Sequence, residues 1–338
     1  MLKLRSFTKF PRIAKVGLVS LLIQSLVILA LEIKIFVLSI NHLSIFDSWV
    51  SDKSPLIIFL MFATATFFMI YLYIEAIIQE NTLQIFTFIL FHVYTLVYGV
   101  LMYFHKISNT PSDVLDTITE DSKPYLIAVP CILSTTLGFW IYISFKLYGI
   151  FGWEMYKLIG ANVLFRDMYK QYLLFVQLLK MDFYFFVTFA SQYVLLILHS
   201  GDIELPITVA LVPISLVTLI IAVYALKRES RSLMWIFILG LIGFIGYYTF
   251  KLVRIYDKTQ DTKYENQRIV LSFFGFLGLI TVVFTVFQAI KCLTNFGQGL
   301  SKRIEMIEGN VNENFIDGNN YYINSAGQRR MALEEYNG

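Results

Sequence analysis

Charged residues are scarce in this sequence, and their scarcity excludes an ordinary water-soluble domain. Aspartate, glutamate, lysine and arginine make up 15% of the 338 residues, against roughly 25% in an average soluble protein. Hydrophobic residues make up 57%, and they lie in unbroken blocks of about 20 residues or more, long enough to cross a bilayer as helices. A helix satisfies its own backbone hydrogen bonds in lipid, whereas a membrane β-barrel would alternate apolar and polar residues.

Cysteines and the common catalytic motifs are also scarce or missing. The two cysteines, Cys131 and Cys292, each fall in a hydrophobic block, so no disulfide framework is predicted. The sequence lacks the motifs of zinc metalloproteases, α/β-hydrolases, P-loop NTPases and dinucleotide-binding enzymes. Its net charge of +3 is too small to indicate nucleic-acid binding. We therefore predict no cofactor and no nucleic-acid partner, and we favour a non-enzymatic role.

Three of the four histidines fall at predicted luminal ends of membrane spans, close to aspartates in the sequence. His42, His105 and His199 could bind zinc together with a carboxylate, or could sense an acidic lumen, since histidine titrates near about pH 6.5. None of them forms an i, i+4 pair, and histidine is common at membrane interfaces. We predict no metal site and keep the three histidines as alternative metal ligands.

The hydrophobic blocks predict an all-α fold, a polytopic transmembrane helical bundle of eight spans, or seven if one short turn is lost. The predicted spans are residues 16–40, 55–77, 82–104, 124–148, 172–199, 205–225, 232–254 and 269–292. Residues 1–15 form a basic N-terminus, residues 16–292 the transmembrane domain, and residues 293–338 a mostly disordered tail. The two predicted loops of any length are residues 105–123 and 150–171.

Lysine and arginine are concentrated on one side of these spans. With eight spans, the N-terminus, residues 150–171, the turn at 226–231 and the tail share a side and hold most of the basic residues. Basic loops face the cytosol, so both termini are predicted to be cytosolic. No internal repeat is evident in the sequence, which counts against a transporter built from inverted repeats.

Ionisable residues within spans are costly in lipid and are therefore candidate functional residues. The candidates are Glu32, Glu75, His92, Lys180 and Asp182. A structural role is the alternative for each: Glu32 would pair with another helix, and Glu75 would lie at the cytosolic interface. Lys170, Gln177 and Lys180 fall on one helical stripe that we expect to face away from the apolar bulk, with Asp182 on another face.

Glycines recur in the last two spans at helical spacing. Gly240, Gly243 and Gly246 are three residues apart in the seventh span, and Gly275 and Gly278 repeat that spacing in the eighth. Small residues allow helix backbones to approach closely in lipid. We predict that these two spans pack tightly through their glycines.

Several polar segments form a set that is informative only when taken together. They are residues 80–84 (ENTLQ), 153–161 (WEMYKLIGA), 166–169 (RDMY), 178–183 (LLKMDF) with Gln192, and 295–300 (NFGQGL). Together they resemble an uncharacterised family of fungal multipass proteins described as Golgi apparatus membrane proteins. The likeness spans residues 15–300, although Asn162 stands where an acidic residue is expected. It implies a Golgi or related endomembrane location, with vacuole and endosome left open, and it implies no reaction.

The segment of residues 150–171 is a candidate recognition element at the cytosolic membrane surface. Its candidate residues are Trp153, Tyr156, Lys157, Gly160 and Arg166. Aromatic residues anchor at lipid headgroups, and basic residues next to a membrane attract anionic lipid. Besides the lipid bilayer, the predicted partners are therefore anionic lipid headgroups or a cytosolic protein.

Three functions fit these features. The favoured hypothesis is an organising, sorting or sensing protein of the endomembrane system that uses its cytosolic segments. The first alternative is a small-solute or ion transporter with a polar path near Glu32, His92, Lys180 and Asp182. The second is a membrane enzyme that acts on lipid from the lumen through its histidines.

Overall fold

A computed structural model describes residues 10–45, 54–108, 112–159, 163–197, 204–257 and 268–297. Eight helices in these ranges are long and apolar enough to cross a membrane, which confirms the predicted fold class. They are α1 (Arg12–Ile45), α2 (Ser54–Gln79), α3 (Thr82–Ser108), α4 (Ser112–Ile159), α5 (Val163–Gln192), α6 (Glu204–Lys227), α7 (Arg231–Ile255) and α8 (Arg268–Thr294). A π-helical turn, Tyr193–Ile197, continues α5.

The segments predicted to connect spans, residues 105–123 and 150–171, do lie largely between the membrane spans of the structure, but they are mostly helical rather than irregular. Helix α3 runs to Ser108 and α4 begins at Ser112, while α4 runs to Ile159 and α5 begins at Val163. The spans were predicted from apolar residues alone, but a helix continues through polar residues once it leaves the hydrocarbon core. Helix α5 and the π-helical turn after it run without a break from Val163 to Ile197.

The outer surface of the bundle is apolar, as a protein in lipid requires. Large hydrophobic side chains such as Leu26, Phe145, Leu239 and Val253 are exposed along the helices. In water, patches of this extent would be unstable or would mark an interface. A bilayer covers them instead.

The helices form two groups of four, each a closed ring. In the first half, α1 to α4, each helix packs against the next and α4 returns to α1; in the second half, α5 to α8, the same order repeats and α8 returns to α5. The halves meet mainly where α3 packs against α5 and α8. Four spans per half give both halves the same orientation, so corresponding helices are related along the chain by about 150 residues, a parallel repeat.

The same tight turn joins the second and third helices of each half. Before α3, Glu80 has a φ of 49° and Asn81 donates its backbone N–H to Ala76 O; before α7, Glu229 has a φ of 47° and Ser230 donates to Ala225 O. Both turns therefore read Ala-x-x-x-Glu followed by Asn or Ser. This bond closes a helix end when a residue adopts the left-handed conformation. The internal repeat that was not evident in the sequence is present in the structure.

The glycines of α8 pack closely against α7, but those of α7 do not pack against α8. A Cβ on Gly278 would lie 2.4 Å from the Tyr248 hydroxyl, and one on Gly275 would lie 2.8 Å from Leu252. Gly243 and Gly246 of α7 have no neighbour within 4 Å, and Gly240 faces Thr218 of α6. Close approach needs a small residue on one helix only, because large α7 side chains fill the gaps that the α8 glycines leave.

Candidate functional site

An aromatic layer fills the contact between the two halves, which we call the seam. Its rings come from α2, α3, α5 and α8: Phe68, Phe91, Tyr94, Tyr98, Tyr184, Phe185, Phe273 and Phe274. Tyr184 of the second half stacks on Phe68 of the first with ring centres 4.6 Å apart. Tyr94 stacks on Phe273 at 5.6 Å. The halves therefore pack through flat side chains rather than through interlocked aliphatic ones.

A buried ion pair closes the cytosolic end of the seam. Lys180 Nζ of α5 lies 2.6 Å from Glu75 Oε2 of α2, and Gln79 and Gln84 donate their side-chain N–H groups to the same carboxylate at 2.9 and 2.6 Å. The tight turn after Gln79 brings α3 back beside Glu75, with Asn81 capping the α3 N-terminus through a bond from Leu83 N. Glu75 thus accepts three hydrogen bonds from three helices.

Burial at this end of the seam adds to one sequence-based expectation and corrects another. Glu75 lies near the end of α2, where it was expected, but it is only 6% exposed because it is paired inside the bundle. Gln177 is 1% exposed and the Lys180 side chain 17% exposed, so the expected polar stripe on α5 faces outward only at Lys170. Lys180 faces inward because Glu75 of the first half pairs with it there.

From the ion pair, a row of hydroxyl groups, which we call the polar file, extends through the seam toward the lumen. The Tyr94 and Tyr184 hydroxyls lie side by side in the middle of the seam, with Thr188 next to Tyr184. Tyr98, one turn beyond Tyr94, lies in electrostatic contact with Glu32 of α1. Glu32 is 3% exposed. It faces the interior of the bundle, as a paired residue or a transport residue would.

Asp182 occupies a separate place inside the second half. Its Oδ2 accepts a hydrogen bond from the Thr285 hydroxyl of α8. It points away from Lys180, as its predicted position on another helical face requires. A cavity of about 40 Å³ lies beside it, lined also by Tyr248, Ser215 and Thr218.

His92 lies within the first half and away from the seam. Its Nε2 is 3.0 Å from the Leu133 carbonyl oxygen of α4, and the residue is fully buried. The structure therefore brings Glu75 and Lys180 together and places Glu32 at the far end of the same file, whereas His92 and Asp182 contact other partners.

The cytosolic candidates are described in part. Trp153 is 58% exposed at the end of α4, and Arg166 is exposed at the start of α5. The side chains of Tyr156 and Lys157, and all of Gly160, lie outside the described residues. The side chains of His42 and His105, and all of His199, also lie outside them, so the metal alternative stays a prediction.

The search for polar residues in the sequence missed the tyrosines of the seam. Tyr94 and Tyr98 are four residues apart on one face of α3 and could have been found by that spacing. Tyr184 and Thr285 carry no such signal, since each becomes informative only when another helix is placed against it. Gln84 stands in the ENTLQ segment of the resemblance, but that segment does not indicate Glu75 as its partner.

The chain is similar to a UPF0658 Golgi apparatus membrane protein of Schizosaccharomyces pombe. The two are 27% identical over 271 residues, which cover 72% of this chain and 76% of the relative. This likeness confirms the resemblance seen in the sequence and the expected Golgi-type membrane location. No family model matches the chain, and no solved structure matches it.

Proposed function

We propose that this Golgi-type membrane protein is a small-solute or ion transporter whose two halves move against each other at the seam. The observation that carries this proposal is the buried Glu75–Lys180 ion pair, which joins the halves at the cytosolic end. Transporters built from repeats bind their cargo at the repeat interface, near the bilayer midplane. Here that interface holds hydroxyl groups and two acidic residues.

The ion pair is better suited to a switch than to a static support. Removing two charges from water costs several kcal/mol, which their attraction does not reliably repay, so a buried ion pair adds little net stability. A pair that can exchange its partner for water or cargo lets the halves separate at one end. Glu75 and Lys180 would then act as the cytosolic closure.

The aromatic layer supports the same movement. The stacked pairs, Phe68 on Tyr184 and Tyr94 on Phe273, can slide over each other. The edge-to-face pairs, such as Phe91 with Tyr184, would part as the halves separate. Behind them the Tyr94 and Tyr184 hydroxyls offer hydrogen bonds to a polar cargo. Tyr98 and Glu32 continue this path toward the lumen.

Thiol labelling in sealed, oriented vesicles tests the proposal. Cys131→Ser and Cys292→Ala remove the native thiols, and Thr188→Cys places one beside Tyr184 in the seam. We expect Glu75→Gln to raise labelling of this cysteine from the cytosolic side severalfold. The amide has no charge to hold Lys180, and its N–H group faces other donors, so the closure at this end of the seam is weakened. A membrane-impermeant reagent applied to each side reads the result.

Lys146→Met is the matched control for that experiment. Lys146 is exposed over the Tyr142 ring on the outer surface of α4 and has no place in the seam, so labelling should stay at its original level. Equal labelling with and without Glu75→Gln would mean a dry, fixed seam and would rule out the transporter.

A specific observation also favours the organising or sorting role. Helix α4 continues about 12 Å beyond the buried Phe151 to Ile159, and α5 begins about 12 Å before Gln171, which contacts the end of α8. Both helix ends project on the predicted cytosolic side, with Trp153 and Arg166 exposed. A fixed seam in the labelling experiment would leave this projection as the functional surface.

A further inference from the structure

The two halves place an acidic residue at the same position. Glu32 lies on α1 and Asp182 on α5, the first helix of each half, and the two are separated by the repeat length of about 150 residues. Each acid is near enough to a tyrosine of the third helix of its half to interact with it electrostatically, Glu32 with Tyr98 and Asp182 with Tyr248, and Asp182 and Tyr248 also line the same cavity. The tyrosines are separated by the same length. Chance placement does not explain two acid–tyrosine pairs in register.

We propose that Asp182 and Glu32 are equivalent proton-binding sites, one at the same position of each four-helix half. The ligand is a proton taken from water, and the tyrosine of each pair is the neighbouring polar group. Their use in driving transport rests on the proposed function, but the binding of protons does not.

The hydrogen bonds around Asp182 fit a carboxyl group that gains and loses a proton. The Thr285 hydroxyl is placed to donate both to Asp182 Oδ2 and to the Thr281 carbonyl oxygen, yet a hydroxyl has one proton to donate. Both contacts are hydrogen bonds at once when Asp182 carries a proton and donates it to Thr285. When the carboxyl is ionised, the Thr285 hydroxyl turns to donate to it.

A place for the exchanged proton lies beside the carboxyl. Asp182 Oδ1 and the Tyr248 hydroxyl are both buried, and neither has a hydrogen-bond partner among the described residues. Both residues line the cavity of about 40 Å³, and a water molecule needs only about 10–15 Å³ of such space. A water there can relay a proton: it accepts one from hydronium in the solvent and donates one to Asp182 Oδ1, so that the water is regenerated.

The surroundings of both acids contain few competing charges in the described residues. Around Asp182, α7 contributes Tyr248, while α6 and α8 contribute hydroxyls that do not titrate; Lys180 of the same helix is turned to Glu75. The buried Lys251 of α7 lies over the Tyr193 ring, 11 residues further along the chain than Asp182. Around Glu32, α3 contributes Tyr98, and Lys34 of the same helix is exposed. Among the charged side chains that the structure describes on α2 and α4, Glu75 lies at the seam, and Lys123 and Lys146 are exposed near the ends of the α4 span.

Infrared difference spectroscopy of the full chain in lipid nanodiscs tests the proposal. Spectra recorded between about pH 5 and about pH 8 span the range in which a physiological proton switch titrates. We expect two pH-dependent carboxyl bands, of which Asp182→Asn removes one and Glu32→Gln the other. Asp257→Asn, at an exposed aspartate just after α7, is the control and should leave both bands in place.

Thr285 variants keep the test decisive if Asp182→Asn does not fold. Thr285→Val should shift the Asp182 band because its hydrogen bond is lost, and Thr285→Ser should restore the band. An unchanged spectrum in Asp182→Asn, or in Thr285→Val, would overturn the proposal. Bands that disappear when sodium is added at constant pH would overturn it too, because they would show that the sites bind a metal cation. These bands report the carboxyls whether or not the halves move, so failure here is separate from failure of the thiol labelling.

Discussion

At the cytosolic end of the seam, the side-chain hydrogen bonds described above meet at the Glu75 carboxylate. Lys180 of α5, Gln79 of α2 and Gln84 of α3 all donate to it. Glu75 is only 6% exposed, so water screens its charge little. A carboxylate left there without a cation would therefore destabilise the fold. The network is satisfied only while both charges are present.

Removing the lysine alone should therefore destabilise the protein more than removing both charges. We expect Lys180→Met to lower the free energy of unfolding by about 3–5 kcal/mol, because it leaves a buried carboxylate unpaired. The double variant Glu75→Gln with Lys180→Met should recover part of that loss. Unfolding in detergent, followed by tryptophan fluorescence, measures both, and equal losses in the two variants would contradict a coupled pair.

At this scale the sequence identifies the charged residues within the spans but not how they are arranged. Glu32, Glu75, Lys180 and Asp182 were all identifiable, because a charge within an apolar block is conspicuous. Their partners were not, since each lies on another helix and helix packing is decided by shape. The pairing of Glu75 was missed for the same reason, because nothing in the sequence of α2 indicates that Lys180 of α5 lies beside it.

Helices α7 and α8 show how one element makes room for another. Gly278 of α8 lies directly against the Tyr248 hydroxyl, and the same tyrosine lines the cavity at Asp182. The Thr281 and Thr285 hydroxyls follow on the same face of α8, three and seven residues further on. The glycine thus holds the two helices close enough for the second half to form its acid–tyrosine pair.

Adding one carbon at this contact should be costly. A Cβ at Gly278 would lie 2.4 Å from Tyr248, and overpacking of this kind typically costs about 1–3 kcal/mol. We therefore expect Gly278→Ala to lower the melting temperature in detergent. Gly243→Ala is the matched control: that glycine has open space around it, so the substitution should leave the melting temperature unchanged or raise it. An equal effect at both positions would contradict the packing described here.

Element number was predictable, whereas element length and the repeat were not. Eight apolar blocks give eight helices because lipid permits little else. The projecting ends of α4 and α5 carry polar residues, and polarity alone does not distinguish a helix in water from a loop. The repeat is hard to detect in the sequence because lipid-facing positions accept any apolar residue. Only the Ala-x-x-x-Glu turn and the acid–tyrosine pairs recur recognisably in both halves.

The whole molecule is two similar four-helix halves in one orientation, joined by an aromatic seam in a Golgi-type membrane. The seam carries an ion pair at its cytosolic end, hydroxyl groups at its centre and Glu32 toward the lumen. This arrangement places polar groups at each depth of the contact between the two halves. We propose that the halves move against each other at this contact, and that Glu75 and Lys180 hold them closed.

The most direct test is a distance measurement between the halves by pulsed electron spin resonance in nanodiscs. Spin labels at the exposed residues Arg12 and Lys291 report on the predicted cytosolic ends of the first and second halves, and a pair at Arg228 and Lys291 reports within the second half. We predict that Glu75→Gln adds a population with a longer distance for the first pair and leaves the second pair unchanged. An unchanged distance distribution for both pairs would show that the eight helices form one rigid body, and would contradict the account.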